Sequence, residues 1–521
     1  MAYLIGVDVG TSGTKSLLID AEGRVYASRS AGYRLHQPQL GWAEQSAEDW
    51  WQATCSTIRQ LLEETGTSPH DVVAVGFSGQ MHGSVFLDKE GHVIRPPLLW
   101  CDVRTAAECR EITSVVGERQ LIESTSNPAL EGFTAPKLLW LRNHEPVNYA
   151  KLAHVLLPKD YVCYRLTGEL ATEVSDAAGT LLFDVAHRSW SQEVLRALDI
   201  DPAILPRVME SVEVRGLVSE AGAQATGLAV GTKVVGGGAD NACGAVGAGI
   251  VREGRFLSSI GSSGVILAHT ETPRLDPSAR VHTFNHAVPG RWYLMGVMLA
   301  AGLSLRWFRD EMGPMEKRIE QEIGLDAYDL LGLQAAKSPP GSRGLVFLPY
   351  LNGERTPHAD ADARGVLFGL SSAHTRGDVI RAIMEGVTFG LRDSVEIMRD
   401  MGLSFDRLRV LGGGARSPLW VQMQADVFQT TVERLQVDEG PAYGAALLAG
   451  VGADLFASVA EAAESTVRVG DVLEPNPANK GRYDDMFGLY RALYPALREG
   501  YAAAARLSRR PSPAHKGWRN T

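Results

Sequence analysis

The amino-acid sequence predicts an α/β protein made of two related domains, and two observations support this prediction. Apolar, strand-like runs alternate with amphipathic, helix-like stretches along most of the 521 residues, as in folds whose ligands bind at the ends of strands. A short turn of glycine and hydroxyl residues also occurs twice, as GTSG at 10–13 and as GSSG at 261–264. Because both copies lie between strand-like runs and are about half the chain apart, we expect an internal duplication.

The segments around the first turn predict two strands, a helix and a further strand. The apolar runs YLIGVDV and KSLLID flank the GTSG turn. The stretch SAEDWWQATCSTIRQLLEE predicts a helix, with Ser46 as its N-cap and acidic residues in its first turn. The apolar run VVAVGFSG that follows predicts a buried strand.

The second half of the chain repeats this alternation. The runs RFLSSI and VILAHT flank the GSSG turn, as strands would. The stretch GDVIRAIMEGVTFGLRDSVEIMRDM predicts a long amphipathic helix, and RLRVLGGG predicts the strand after it. The segments PLWVQMQADVFQ and PAYGAALLAGVGADLF predict two more helices.

The domain boundary is expected near residue 250, where the glycine-rich segment GAVGAGIVREGRF runs into a strand. We therefore expect an N-terminal domain at 1–250, a C-terminal domain at 251–490, and the end of a helix with a basic tail at 491–521. The two copies of the turn differ in one respect, because Ser259 stands where the first copy has Asp8. The two halves would then have divided their functions.

The composition is typical of a globular enzyme and argues against several function classes. The net charge of −10 disfavours a nucleic-acid partner, which needs a basic face, and we expect the basic stretch at 506–521 to be a solvated tail. Five cysteines without a C-x-x-C pair disfavour a disulfide framework or a zinc site. The N-terminal apolar run lacks a preceding basic segment, and no apolar run approaches the ~20 residues of a membrane span. We expect a cytoplasmic protein with no membrane partner.

The GTSG turn suggests phosphate binding, although it matches neither common phosphate motif. A P-loop needs G-x-x-x-x-G-K-[ST], and Lys15 does not directly follow a glycine. The segments GGGADN and GGGARSP both lack the last glycine of a dinucleotide fingerprint, which disfavours a dehydrogenase. A turn of this kind can direct backbone N–H groups and hydroxyls at an anion, and Asp8 beside it could bind Mg²⁺. The alternative is that the turn only closes a tight hairpin.

Two long motifs resemble the signatures of the FGGY carbohydrate kinases. The segment GFTAPKLLWLRNH at 132–144, with Lys137 and Trp140, is similar to the first signature of that family. The segment GVLFGLSSAHTRGDVIRAIME at 365–385 is similar to the second.

Shorter segments extend the resemblance from about residue 3 to about residue 455. YLNGERTPH at 350–358 and LGGGARSPLWVQMQADVF at 411–428 are also similar to the family. GWAEQ at 41–45 and SGQMHG at 78–83 resemble the xylulokinases within it. One departure is mild, because most relatives have Gly-Thr-Ser in the second turn where this chain has Gly-Ser-Ser, which keeps a hydroxyl.

The resemblance implies two ribonuclease-H-like domains of the actin and hexokinase ATPase type, with a cleft between them. The sugar would bind on the first domain and ATP mainly on the second. The implied reaction is the phosphorylation of D-xylulose by ATP, giving D-xylulose 5-phosphate and ADP. The implied partners are therefore a small sugar, ATP and Mg²⁺, and the sequence leaves a homodimer open.

The resemblance also assigns residues. Asp240 falls at the position of the family's catalytic aspartate and would be the general base, although an aspartate at a helix start can also be an N-cap. Asp8 would assist catalysis through Mg²⁺, directly or through water. The residues implied to shape the sugar site are Gln80, Met81, His82, Asn241, Trp42 and Glu44, although Trp42 can also be a simple apolar contact beneath the following helix. The residues implied to contact ATP are Thr11, Ser12, Lys15, Gly261, Ser262, Gly302, Gly413 and Gly414. Arg355 and Glu385 lie in family motifs and are expected to be structural.

Two other functions remain open at this point. A related kinase could act on ribulose or another ketose or polyol, since a few pocket residues decide the preference. Glycerol is disfavoured, because glycerol kinases have Arg-Glu where this chain has Met81 and His82. An actin-like ATPase without kinase activity would share the phosphate turns, but would not be expected to have SGQMHG or both FGGY signatures.

Overall fold

The computed structural model describes residues 2–437 and 439–508, so the basic tail from residue 509 onward lies outside the described residues. The strands are β1 (Tyr3–Val9), β2 (Gly13–Asp20), β3 (Val25–Gly32), β4 (Val72–Gly79), β5 (Val85–Leu87), β6 (His154–Leu156), β7 (Ala171–Glu173), β8 (Phe183–Asp184), β9 (Ser189–Trp190), β10 (Arg207–Met209), β11 (Val214–Leu217), β12 (Lys233–Val235), β13 (Gly238–Ala239), β14 (Gly254–Ile260), β15 (Gly264–Thr270), β16 (His282–Asn285), β17 (Trp292–Met298), β18 (Val346–Leu348), β19 (Val366–Phe368), β20 (Phe405–Leu411), β21 (Thr431–Leu435) and β22 (Val469–Leu473). The helices are α1 (Ala47–Thr65), α2 (Ala106–Val116), α3 (Glu118–Thr125), α4 (Thr134–His144), α5 (Pro146–Tyr149), α6 (Pro158–Thr167), α7 (Val174–Ala178), α8 (Gln192–Ala197), α9 (Glu220–Thr226), α10 (Asp240–Gly247), α11 (Gly302–Met312), α12 (Pro314–Ile323), α13 (Ala327–Ala335), α14 (Arg376–Asp400), α15 (Pro418–Phe428), α16 (Pro441–Gly452), α17 (Val459–Thr466) and α18 (Lys480–Ser508).

The predicted α/β class and the predicted elements are confirmed. Both turns connect neighbouring strands through three residues, β1 to β2 and β14 to β15. Ser46 caps α1, since its Oγ accepts a hydrogen bond from the backbone N–H of Asp49 at 3.3 Å. The predicted long helix is α14, and its N-terminus has a full capping box formed by Thr375 and Asp378.

The chain forms two compact units. The first contains Met1–Leu257, Leu267–Met295 and Leu435–Gly470. Its main sheet has the order β11-β12-β4-β1-β2-β3, with β13 also paired to β4. β1 runs parallel to β4 and antiparallel to β2. Because side chains alternate along a strand, β1 directs Ile5, Val7 and Val9 into a core shared with α1 and α6.

The opposite face of this sheet is covered by α16, which packs against β1, β4 and α10. The approach is so close that it requires glycine on both strands. A Cβ atom on Gly6 would lie 1.9 Å from the carbonyl oxygen of Ala442, and one on Gly76 would lie 2.0 Å from that of Ala445. Asp8 shares this face of β1 with Gly6.

The second unit contains Ser258–Ile266, Gly296–Arg434 and residues 471–508. Its strands β20 and β21 are parallel neighbours in a seven-stranded sheet with the order β16-β17-β15-β14-β20-β21-β22. The helix α14 is buried over most of its length, because α11, α13, α15, α18 and β18 of the same unit pack around it. Within the described residues, no helix combines the length and the apolar character needed to cross a bilayer.

Candidate active site

The GTSG turn at 10–13 is a closed hairpin whose two hydroxyls differ in their surroundings. Gly10 N–H donates to the carbonyl of Gly13 at 3.1 Å. The Thr11 hydroxyl accepts a hydrogen bond from Trp100 Nε1 at 2.9 Å and donates to Gln80 Oε1 at 3.2 Å. Ser12 is exposed at the tip of the turn. Ser12 and the backbone N–H groups therefore offer a more open surface to an anion than the Thr11 hydroxyl does.

Lys15 lies across the hairpin from Asp8. Its Nζ pairs with Glu439 Oε2 at 2.5 Å and donates to the Glu439 carbonyl at 3.4 Å. The Lys15 side chain keeps about a third of its surface exposed (33%). A phosphate would therefore have to compete with Glu439 for this ammonium group.

Asp8 stands at the end of β1 with one oxygen buried and unbonded. Its Oδ1 has no hydrogen-bond partner within the described part of the chain. Burial raises the pKa of Asp8 to about 6, against smaller lowering effects of Ser78 and Lys15. An unpartnered carboxylate oxygen is a suitable ligand for Mg²⁺, which usually takes one or two protein carboxylates and fills its other positions with water and phosphate. Residues 2–437 and 439–508 contain no group of three or more His, Cys, Asp or Glu side chains that could hold a metal ion. A Mg²⁺ ion at Asp8 would therefore take water and phosphate oxygens as its other ligands.

Asp240 is the first residue of α10, and the N-cap is Ala239. The Asp240 carboxylate accepts hydrogen bonds through Oδ1 from the backbone N–H of Asn241 at 2.7 Å and from Asn241 Nδ2 at 3.0 Å. Burial, reinforced by the charge of Asp8, raises its pKa to about 7. A carboxylate with a pKa near neutrality is well matched to accepting a proton at physiological pH.

Met81 and His82 follow directly on β4, as predicted. The sulfur of Met81 lies 3.6 Å from Asn241 Nδ2, which brings the two segments together. His82 has a φ of 67°, a left-handed conformation that is rare outside glycine. Its Nδ1 lies 2.6 Å from the carbonyl oxygen of Gly179, so Nδ1 carries the proton and donates.

A buried lysine of the first FGGY-like segment holds the turn at His82. Lys137 Nζ and the Thr134 hydroxyl both donate to the His82 carbonyl at 3.0 Å. Lys137 is fully buried, and desolvation lowers its pKa to about 7. Lys137 thus fixes the backbone carbonyl of His82, a residue predicted to shape the sugar site.

Both polar atoms of the Gln80 side chain make hydrogen bonds within the protein. Its Oε1 accepts from Thr11, and its Nε2 donates to Gln45 Oε1 at 3.1 Å and to the Gly10 carbonyl at 3.4 Å. Gln45 also receives a hydrogen bond from Trp50 Nε1 at 3.0 Å, and its own Nε2 donates to the Thr11 carbonyl at 2.7 Å. Gln80 therefore ties the end of β4 to the phosphate turn, and Gln45 of the GWAEQ segment is a second link that the sequence did not reveal.

Trp42 lies beneath a guanidinium group. The Arg104 guanidinium carbon is 3.5 Å from the centroid of the Trp42 ring, and Trp140 meets that ring edge-on at 5.7 Å. Glu44 pairs with both Arg104 and Arg95, at 2.8 and 2.5 Å. Glu44 is thus occupied by two arginines, and Trp42 is fixed in position by stacking.

The second unit contains a cavity of about 280 Å³. All five residues of the second half that were predicted to contact ATP line it, namely Gly261, Ser262, Gly302, Gly413 and Gly414. The structure also adds lining residues that were not among the predicted ATP contacts, namely Ile260, Leu305, Arg306, Asp326, Tyr328, Asp329, Gly332, Met384, Arg416, Ser417 and Trp420. Leu305, Met384 and Trp420 give it apolar walls, and its charged lining residues are two arginines and two aspartates.

The start of α11 fixes the second phosphate turn. The N–H of Gly302 donates to the Gly261 carbonyl at 2.9 Å, and the N–H groups of Ala301 and Leu303 donate to the Ser262 carbonyl at 3.0 and 3.1 Å. A Cβ atom on Gly302 would lie 2.3 Å from the Gly261 oxygen. This glycine is therefore required by the close approach of turn and helix.

Glu385 is surrounded by hydrogen-bond donors, as is typical of a buried residue with a structural role. It is buried and accepts hydrogen bonds from Arg381 Nε at 2.8 Å, the Ser342 hydroxyl at 2.7 Å and the Gly341 N–H at 2.9 Å. Its ionic partner is Arg381, one helical turn earlier on α14.

Comparison with known proteins identifies relatives along nearly the whole chain. The model of the N-terminal domain of the FGGY family of carbohydrate kinases matches residues 3–247, and that of the C-terminal domain matches 256–453. A xylulose kinase of Bacillus subtilis (strain 168) is 44% identical over 494 residues, which cover 95% of this chain and 97% of the relative.

Solved structures give the same result. The crystal structure of xylulose kinase from Rhodospirillum rubrum matches with a TM-score of 0.87 at 32% identity, covering 96% of this chain and 100% of that one. The crystal structure of gluconate kinase from Lactobacillus acidophilus matches with a TM-score of 0.89 at 27% identity, covering 96% and 99%. The predicted two-domain fold and the family resemblance are confirmed.

Proposed function

The chain belongs to the FGGY family of carbohydrate kinases, and from that premise we propose that this sugar kinase transfers the γ-phosphoryl group of ATP to the 5-hydroxyl of D-xylulose. The products are D-xylulose 5-phosphate and ADP. The choice of sugar is supported by relatives named xylulose kinase at 40 to 44% identity.

The observation that carries the mechanism is the grouping of Asp240, Asn241 and Met81 at the ends of β13 and β4. Asp240, ionised, accepts the proton of the sugar hydroxyl as the O5–P bond forms and the bond to ADP breaks. Asn241 donates to one carboxylate oxygen, which leaves the orientation of Asp240 defined. Because phosphoryl transfer has a loose transition state, this positioning matters more than the strength of the base.

ATP is proposed to bind with its nucleoside in the cavity of the second unit and its phosphates at the GSSG turn, whose Gly261 and Ser262 line that cavity. The apolar walls fit a purine ring, and Arg306 and Arg416 are the lining residues that can donate hydrogen bonds to a phosphate, although Asp326 and Asp329 balance their charge. Asp8 is the residue that would hold Mg²⁺, directly or through water. When bound, the ion neutralises charge on the phosphoryl oxygens. The domain at 1–250 would thus carry the sugar and the base, and the domain at 251–490 most of the ATP contacts.

The test is ADP release with Mg-ATP in the absence of sugar and with D-xylulose, D-ribulose, L-ribulose, glycerol and gluconate. We expect strong stimulation by D-xylulose over a low background. A preference for another sugar would retain the kinase and overturn the proposed substrate. Hydrolysis independent of every sugar would overturn sugar phosphorylation itself.

The role of Asp240 is tested separately. Asp240→Asn should lower kcat by about 10²–10⁴ with little change in the melting temperature. Asp20→Asn is the matched control, since Asp20 is a buried aspartate at the end of β2 that accepts hydrogen bonds from its own turn and from Tyr26. If Asp240→Asn turns over at the rate of this control, Asp240 is not the base.

A further inference from the structure

A polar segment outside the recognised motifs is completely buried. Residues 172–179, with the sequence TEVSDAAG, comprise the end of β7, the short helix α7 and Gly179. Thr172, Glu173, Ser175 and Asp176 all have 0% exposed surface. Burying so many polar groups is unfavourable unless each is paired, so their arrangement needs an explanation.

One end of this segment is bonded to the residue before Asp240. The Ser175 hydroxyl accepts a hydrogen bond from the backbone N–H of Ala239 at 2.9 Å. The same hydroxyl donates to Glu173, whose two carboxylate oxygens lie 2.9 and 2.8 Å away. Ala239 is the N-cap of α10, so this contact fixes the point at which the chain turns to present Asp240.

Glu173 is itself held from several sides. Its carboxylate accepts from the N–H groups of Ser175 and Asp176, at 2.8 Å each, and from the Ser211 hydroxyl at 2.9 Å. Lys159 Nζ lies 3.4 Å away. A carboxylate with this many donors has little freedom to move, which makes it a firm support for the Ser175 hydroxyl.

Lys159 connects this support to a buried ionic cluster. Its Nζ lies 2.9 Å from both Asp160 Oδ1 and Asp176 Oδ2, and Arg215 pairs with Asp160 at 3.1 Å. Every member of the cluster has 0% side-chain exposure. Burial raises the pKa of Asp176 to about 8, while Lys159 has a pKa raised well above its ordinary value by its three acidic neighbours. The cluster is thus close to neutral, as a buried set of charges needs to be.

The other end of the segment contacts His82, one of the residues predicted to shape the sugar site. The Gly179 carbonyl accepts the hydrogen bond of His82 Nδ1. A Cβ atom on Gly179 would lie 2.9 Å from that nitrogen, so a side chain there would disturb the ring. One short helix therefore bonds at its start to the backbone before Asp240 and at its end to His82.

We propose that Ser175, supported by Glu173, is a positioning residue for the proposed catalytic base Asp240. This inference deepens the proposed function and rests on it. The Ser175 hydroxyl accepts a hydrogen bond from the Ala239 N–H. This contact fixes the direction in which the chain passes from β13 into α10, and with it the position of Asp240. The His82 contact is made by a backbone carbonyl, so a change of the Ser175 side chain leaves it in place.

The experiment compares Ser175→Ala with Ser211→Ala in the kinase assay with D-xylulose. Both changes remove one buried hydroxyl from the same Glu173 carboxylate, but only the first releases the Ala239 N–H. We expect Ser175→Ala to lower kcat about tenfold to a hundredfold, with the KM for D-xylulose within about twofold of the wild type. Ser211→Ala should keep both constants, even where its melting temperature falls.

A second measurement separates positioning from general damage. In an Asp240→Asn background, Ser175→Ala should cause no further loss of kcat, because it acts through the missing carboxylate. Equal kcat values for Ser175→Ala and Ser211→Ala, or a full additional loss in the Asp240→Asn background, would overturn the inference. If Ser175→Ala does not fold, Ser175→Cys, whose thiol is a weak acceptor, replaces it in the same comparison.

The proposed function can fail independently of this inference. If the wild type does not phosphorylate D-xylulose but phosphorylates another sugar, the same comparison is made with that sugar. If Asp240→Asn is as active as the wild type, the base assignment fails and the inference about Ser175 fails with it. If Asp240→Asn is inactive and Ser175→Ala is fully active, only the inference fails.

Discussion

Replacing Glu354 by glutamine should make the protein more resistant to unfolding at pH 8 than the wild type, and should bring little or no benefit at pH 5. Glu354 is 2% exposed. Its Oε1 accepts from the N–H groups of Leu299 and Arg355 at 3.0 and 2.8 Å, while its Oε2 has no hydrogen-bond partner within the described part of the chain. Burial raises the pKa of this carboxyl from its ordinary value of 4.5 to about 8.

The magnitude follows from the two pKa values. Below pH 4.5 the carboxyl is protonated in both the folded and the unfolded chain, so its stabilising contribution is fully present. As the pH rises from 4.5 to 8 the unfolded chain ionises first, and the folded state loses stability by about 1.4 kcal/mol per unit. By pH 8 the accumulated loss is on the order of 4 kcal/mol. Glutamine does not titrate, and its carbonyl can accept the same two hydrogen bonds. Its buried NH₂ has no partner, at a cost of about 1–3 kcal/mol that does not depend on pH.

The assay is the melting temperature of the wild type and Glu354→Gln between pH 5 and pH 8.5. The difference between variant and wild type should increase steadily with pH, by several degrees in total. Glu385→Gln is the matched control, because this buried glutamate is paired with Arg381 and its replacement should destabilise the protein. A difference between Glu354→Gln and the wild type that stays constant over this range would refute the reasoning, since it would mean that Glu354 is ionised in the folded protein.

Three other changes test the packing. Lys159→Met removes the cation that Asp160, Glu173 and Asp176 share, while Asp160 keeps Arg215, and should lower the free energy of unfolding by about 3–5 kcal/mol, as measured by denaturant titration. Gly302→Ala places a methyl group against the Gly261 carbonyl and should raise the KM for ATP, whereas Gly488→Ala, with open space around its Cβ, should leave the KM unchanged. Ser46→Ala removes the N-cap hydrogen bond of α1 and should cost about 1 kcal/mol with unaltered kcat; a loss of kcat instead would show that the start of α1 contributes to catalysis.

The element predictions were accurate where a local signal was strong. Ser46 and Asp49 form the predicted cap, and the two turns connect the predicted strands. The helix α14 was predicted as amphipathic, but it is buried over most of its length. Periodicity describes one face of a helix, whereas the number of neighbours that pack around it depends on parts of the chain distant in sequence.

The site residues were predicted from motifs. In the structure, several of them have surroundings that the motifs did not predict. Gln80 and the Thr11 hydroxyl are bonded within the protein, which a motif cannot indicate because it records residue type and not hydrogen-bond partners. Tyr328 lines the cavity although no motif includes it, and Arg306 lines it from the segment at 300–310, in which the sequence singled out only Gly302. Arg306 is on α11 and Tyr328 is on α13, two helices that are not consecutive in the sequence and contact each other in the folded chain.

The sequence by itself determined the α/β class, the two glycine- and hydroxyl-rich turns and the membership of the FGGY family, because these depend on local periodicity and on motifs contiguous in the chain. Only the tertiary structure decided that α16, more than 400 residues after β1, packs on the face that carries Asp8. It also decided that Ser175 supports the turn before Asp240. Both contacts join segments far apart in the sequence, and their formation depends on the close packing of glycines and buried polar groups that no local pattern encodes.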